Sequence, residues 1–250
     1  MRTSVALLFS VFLLPSTAGA QTTTVLGPRT LLPTQVLCTD LPVTAAPAQK
    51  VQIRAGHNAD GRQNLTAGDV AVLGGGTPEG LSTGQRYLVR RVRMSEKALL
   101  ANEHDPYGTV RTAGWLTITA VDEHTSLGKI DFTCDSIEPG DYLETFAEPA
   151  LPERSADMVE PKFTDRASVL FGTDRRANFG DGDLFSLDRG REQGVAAGDR
   201  FAIYRDRHDG APLVHIADAV VLDPSEHTSK AVLVMVRDAV YSGDLAFLRR

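Results

Sequence analysis

The chain has 250 residues, with 26 lysines and arginines against 32 aspartates and glutamates, a formal net charge of −6. Arginine pairs stand at 90–91, 175–176 and 249–250, and no longer basic run exists. The stripe that neutralises nucleic-acid phosphates is therefore missing, as is a polybasic segment for an anionic membrane.

Residues 1–20 read MRTSVALLFSVFLLPSTAGA. Arg2 supplies a positive start, Val5 to Leu14 an apolar stretch, and Ala18-Gly19-Ala20 a small-residue cleavage site. This layout predicts a secretory signal peptide. The stretch is too short to cross a bilayer, which takes about 20 apolar residues in a helix. No cysteine follows the cleavage site to accept a lipid. Export to the periplasm or the extracellular space is expected.

Residues 21–49, rich in threonine and proline, predict a flexible lead-in that carries Cys38. The second cysteine is Cys134. Two thiols in an exported chain are expected to pair. The bridge would close a loop of about 97 residues, for which chain entropy predicts about 4–5 kcal/mol.

An internal repeat organises the rest. Shifted by 114 positions, GDVAVLGGGTPEGLSTGQRYLVRR (68–91) falls on GDLFSLDRGREQGVAAGDRFAIYR (182–205). Shifted by 103, the stretch 112–144 falls on 215–247, and Glu123-His124-Thr125-Ser126 meets Glu226-His227-Thr228-Ser229. The change of offset places an eleven-residue insertion within 92–111, and MSEKALLANEHD there has room for a helical turn or two. Two tandem copies follow, 50–146 and 167–250. Between them the linker 147–166 holds three prolines and shows no periodicity.

Within each copy the apolar period is two. Tyr87 and Val89 alternate with Leu88 and Arg90, and Leu116 and Ile118 with threonines. Ile130, Phe132 and Cys134 alternate with Lys129, Asp131 and Thr133, which puts Cys134 on an inward face. Such alternation marks half-buried strands. The turn glycines Gly76, Gly80, Gly84 and Gly140 recur as Gly190, Gly194, Gly198 and Gly243. Glu138-Pro139-Gly140-Asp141 fits a type II turn. The fold expected is all-β: two tandem homologous small barrels or sandwiches joined by a proline-rich linker. The strand KAVLVMV (230–236) is apolar on both faces, so the second copy is expected to pack it against the first copy, the linker or another chain.

The polar motifs read as turn chemistry. His124 and Ser126 sit two apart at a strand connection, in no nucleophile-elbow setting, and a duplicated pair does not make a triad. GGGTPEG (74–80) lacks the strand–loop–helix frame of a dinucleotide site, and DRGREQG in the second copy drops its glycines. Asp181, Asp183 and Asp188 lack EF-hand spacing. The six histidines are scattered, with no HExxH. No catalytic, metal-ligating or cofactor-binding residue is assigned. Trp115 is the candidate ligand contact, read as outward-facing, with packing against the insertion as the alternative.

The pattern G-x3-G-[VL]-x2-G-[DQ]-x-[FY]-x-[VI] stands at Gly76–Val89 and at Gly190–Ile203. It resembles small tandem β-domains of exported bacterial envelope proteins that often carry LysM repeats. It is similar, more weakly, to the C-terminal domain of the flagellar assembly protein T. The resemblance implies a peptidoglycan-associated setting and carries over no catalytic residue. The expected function is a non-enzymatic binding or assembly module of the envelope, with an envelope protein or glycan as partner. An envelope hydrolase with an unrecognised site, and a structural spacer, are the alternatives.

Overall fold

The computed structural model describes residues 24–25, 30–57, 61–94, 107–149, 151, 159–161 and 163–249. Residues 1–20, expected to be a signal peptide, and most of the insertion (95–106), including the expected helical turns, lie outside the described residues.

Two short strands, β1 (Thr24–Val25) and β2 (Thr30–Leu31), pair with each other and lead into a helix, α1 (Pro33–Cys38), and a strand, β3 (Leu41–Val43). The first copy then supplies β4 (Ile53–Gly56), β5 (Val70–Leu73), β6 (Arg86–Arg93), β7 (Gly108–Val121), β8 (Ser126–Thr133) and β9 (Tyr142–Thr145). They pair in the order β4-β5-β8-β7-β6-β9, all antiparallel. The sheet curls until its ends meet: Ile53 N–H donates to the Asp141 carbonyl at 2.7 Å, and Leu143 N–H to that of Val51 at 2.9 Å. Closure leaves no open edge between β4 and β9.

The second copy supplies β10 (Arg166–Ser168), β11 (Asn178–Phe179), β12 (Leu184–Leu187), β13 (Arg200–Arg205), β14 (Val214–Pro224), β15 (Ser229–Val236), β16 (Val240–Tyr241) and β17 (Leu245–Arg249). Its order is β10-β17-β13-β14-β15-β12, and Leu170 N–H donates to the Ser186 carbonyl at 2.8 Å to close it. Read as rings, the two orders are the same. β11 pairs with β16, and the first copy has the equivalent contact as a single bridge, Leu65 with Ile137.

Register repeats as well as order. Val70 opposes Lys129 in the first copy, and Leu184 opposes Val232 in the second. Arg86 opposes Thr117, and Arg200 opposes Val220. Both copies slip register after the same residue, Val89 in one and Ile203 in the other. The strands therefore form two closed barrels of one design.

Each barrel is filled by its inward positions. Leu73, Val89, Leu116, Ile118 and Ile130 pack the first; Leu187, Ile203, Ala219, Val221 and Leu233 pack the second. One of the register shifts moves residues the alternation placed inside. A bulge in β8 sets Phe132 opposite Trp115 but Ile130 opposite Leu116, leaving Asp131 extra. A bulged residue reverses which side chains face in. Phe132 thus stacks on Trp115 outside the barrel, and Cys134 lies with them rather than on the inward face.

The segment read as a flexible lead-in forms α1 and β3. β7 is longer than β14, and its extra residues Gly108–Val110 pair with β3. The insertion in the first copy therefore lengthens a strand that the N-terminal segment joins.

Candidate functional site

Each barrel carries an apolar patch on its outer side, Leu88 and Trp115 on the first and Val220, Leu222 and Val232 on the second, and a wedge made of α1 and β3 lies between them. Local sequence explains the wedge. Pro33 starts the helix, where its missing N–H costs nothing. The Gln35 side chain accepts the Leu32 N–H at 2.9 Å, and Thr39 Oγ1 donates to the Gln35 carbonyl at 2.8 Å to end the helix. Successive side chains then point to different barrels. Val36 packs with Val220, Leu222 and Val232 of the second, and Leu37 with Leu88 and Trp115 of the first. Burying each contributes about 1.5–3 kcal/mol. Leu31 and Leu151 complete the cover over β14 and β15, so the linker and the N-terminal segment share it.

Polar contacts follow the same division. The Leu37 carbonyl accepts from Thr112 Oγ1 of β7 at 2.5 Å, and the Val36 carbonyl accepts from Lys230 Nζ of β15 at 3.1 Å. Lys230 is 2% exposed. Burial, helped by the nearby Arg90 guanidinium, pulls its ammonium down to about 8, while Asp223, Asp40 and Glu144 act the other way. Thr228 Oγ1 donates to the Pro42 carbonyl at 3.4 Å.

Arg111 of β7 ties three bodies together. Its guanidinium pairs with Asp40 of the wedge at 3.3 Å, with Asp135 of the first barrel at 3.2 Å, and with Asp174 of the second. Burial works against the Arg111 charge, but the hydrogen bonds it donates to Asp40, Asp174 and Asp135 hold its pKa well above the usual arginine value. Asp40, 2% exposed, also accepts the Asp174 N–H at 3.0 Å. Asp174 and Arg175 both take left-handed backbone, at φ 57° and 55°. Consecutive non-glycine residues there are strained and persist only where surroundings hold them. A surface cleft of about 230 Å³ opens at this junction, lined by Asp40, Arg93, Thr109, Arg111, Asp174 and Arg175.

Compared with protein-family models and with curated proteins, this chain has no match.

The sequence candidates fall into place around the wedge. Cys38 and Cys134 are joined, with Cα atoms 5.5 Å apart, and fasten the last residue of α1 to the first barrel. Trp115 does point outward from its barrel but is only 6% exposed. Phe132 stacks on it at 4.4 Å and Phe146 meets it edge-on at 6.0 Å, with Leu37 covering the cluster. It is a packing residue at the wedge, not an open contact surface.

The EHTS repeats are hairpin connections. Asp122 N–H donates to the Thr125 carbonyl, and Ser225 N–H to that of Thr228, both at 2.8 Å. The His124 side chain is 83% exposed, with Glu123 at 3.9 Å beside it. His227 pairs with Glu192 at 3.0 Å. Glu192, Glu226 and His227 bring ligand atoms within 4.8 Å of one another on the open surface. Pro78 stands where the first barrel would need Glu192.

Gly80 and Gly194 end short 3₁₀ turns in left-handed backbone (φ 81° and 77°). Gly84, Gly140, Gly198 and Gly243 also have positive φ. Gly76 and Gly190 are different: their φ is negative, and a Cβ would strike the carbonyls of the EHTS hairpin, at Asp122 and Glu123 or at Ser225 and Glu226.

Sequence reasoning missed a clamp that the repeat itself signals. Arg91 grips Asp141 through two nitrogens at 2.7 and 2.8 Å and donates to the Ser136 carbonyl. Arg205 does the same to Asp244, at 3.0 and 2.6 Å, and to the Ala239 carbonyl. Each aspartate also accepts a turn N–H, from Glu138 or Tyr241. The matched Arg–Asp identities across both copies were the available signal.

Proposed function

We propose that this chain is an exported, non-enzymatic binding or assembly module of the bacterial cell envelope, in which two barrels are presented as one unit. The supporting observation is where the repeated polar residues sit. Arg91 with Asp141, and Arg205 with Asp244, brace turns. Ser126 Oγ holds the Gly75 carbonyl at 2.8 Å, and both EHTS histidines stand apart on exposed hairpins. What duplication retained serves shape, which is what a scaffold needs. The wedge then fixes one shape against the other.

The test is sedimentation of the full chain, after signal removal, with purified cell-wall sacculi. Retention without release of soluble fragments supports the reading. Release of glycan or peptide fragments moves the assignment to the hydrolase alternative. Passage of the chain into the supernatant removes the wall as its target.

A further inference from the structure

Every contact that joins the barrels through α1 depends on a helix of six residues. A helix that short has no stability of its own in water. Its last residue is Cys38, whose side chain is bridged to Cys134 of the first barrel. Both half-cystines are half-buried and line a surface cleft of about 310 Å³. The cleft lies where three bodies meet: Gln35 and Thr39 belong to the wedge, Cys134 to the first barrel, and Thr173, Arg176 and Asp183 to the second. Arg176 and Asp183, paired at 3.1 Å, form the polar wall of the same cleft.

From this juxtaposition we propose that the Cys38–Cys134 bridge is a redox-labile latch that decides whether the two barrels move as one body. The reductant is a dithiol reaching the bridge through the cleft. One of its thiolates attacks one bridge sulfur, the S–S bond breaks, and the other cysteine leaves as a thiolate and takes a proton. The second thiol of the reagent then attacks the mixed disulfide and releases the remaining cysteine. Two electrons and two protons pass to Cys38 and Cys134, and the reagent ends as its own disulfide.

Loss of the bridge leaves the C-terminal end of α1 held only by non-covalent contacts, the Leu37 carbonyl on Thr112 and Asp40 on Arg111 among them, and shifts it toward the unwound state. As the helix unwinds, Val36 leaves Val220, Leu222 and Val232, and Lys230 exchanges the Val36 carbonyl for water. Rehydrating a buried ammonium favours release. The barrels keep their own closed sheets and Arg–Asp clamps, none of which uses the bridge.

The full chain reports this directly, because Trp115 is its one tryptophan and packs in the same cluster as both half-cystines. Dithiothreitol is added without denaturant while Trp115 fluorescence and amide hydrogen exchange are followed. The fluorescence is expected to rise on reduction and return on reoxidation. Amides of residues 36–43 should exchange about 100-fold faster, and those of β8 and β15 less than about tenfold faster. The variant carrying Cys38→Ser and Cys134→Ser should match the reduced protein. A bridge that resists reduction until denaturant is added overturns the proposal. So does unchanged exchange at 36–43, or loss of protection in both barrels together, which would make the bridge a plain structural staple.

Discussion

Lys230 donates a hydrogen bond to the Val36 carbonyl across 194 residues of chain, at 3.1 Å. The equivalent position in the first barrel is Leu127. One copy thus keeps an apolar residue where the other buries an ammonium beneath the wedge. Its pKa falls to about 8 from the ordinary 10.5. Between those values the unfolded chain binds more protons than the folded one, so stability rises with pH through that window. The shift corresponds to roughly 3 kcal/mol. Above pH 10 the trend meets an opposing one, because burial raises Tyr142 to about 12 from its ordinary 10.0 and the unfolded chain loses that proton first. Urea unfolding of the wild type should therefore show a higher midpoint at pH 9.5 than at pH 7.5. Lys230→Met should abolish the difference and be at least as stable at pH 7.5. A wild-type midpoint that falls over this range would contradict the burial of Lys230.

The Arg–Asp clamps should carry much of each barrel's stability. Asp141 is 2% exposed and satisfied by Arg91 and a turn N–H. Breaking a buried pair from one side leaves a charge without compensation, a loss of about 3–5 kcal/mol. Arg91 keeps Glu138 and Arg205 keeps Asp238 as partners, so Asp141→Ala and Asp244→Ala are each expected to lower stability by about 3 kcal/mol, the lower end of that range. A double-mutant cycle with Arg91→Ala or Arg205→Ala should recover most of the loss as coupling. Additive single effects would show that the pair does not act as a unit.

Glycine substitutions separate two physical causes. At Gly80 the backbone is left-handed (φ 81°) with open space around the added Cβ, so alanine costs about 1–2 kcal/mol. At Gly76 and Gly190 the Cβ meets hairpin carbonyls and the backbone must move. Gly190→Ala is expected to destabilise more than Gly80→Ala in the same denaturation assay. The reverse order would mean that the hairpin approach is looser than the structure has it.

Trp115→Ala should damage the joint, not a ligand site. Large-to-small changes at buried aromatics cost about 3–5 kcal/mol. The variant should unfold at lower urea, while acrylamide should quench wild-type Trp115 weakly. Strong quenching would return Trp115 to the surface.

The barrels were legible because offsets of 114 and 103 place matched residues in matched registers. The alternation of Tyr87 and Val89 against Leu88 and Arg90 reports the inner face correctly, with Val89 fully buried in the core. Three things hid from that pattern. The bulge at Asp131 reverses the alternation, so Phe132 and Cys134 face out although Ile130 faces in. The wedge hid because six helical residues span less than two turns, too little to show a period. Val36 and Leu37, adjacent in sequence, serve different barrels, and no single-face pattern describes that. The junction of Asp40, Arg111 and Asp174 joins residues up to 134 positions apart, and nothing in the repeat marks it, since Asp40 lies outside both copies.

The most direct test of a two-barrel body locked by its own N-terminal segment is a set of residual dipolar couplings on the oxidised chain. Amides of β5–β9 and of β12–β17 should fit one alignment tensor, oriented as the wedge sets them. Two tensors of different magnitude and direction would contradict the account, because the barrels would then tumble separately with the bridge intact.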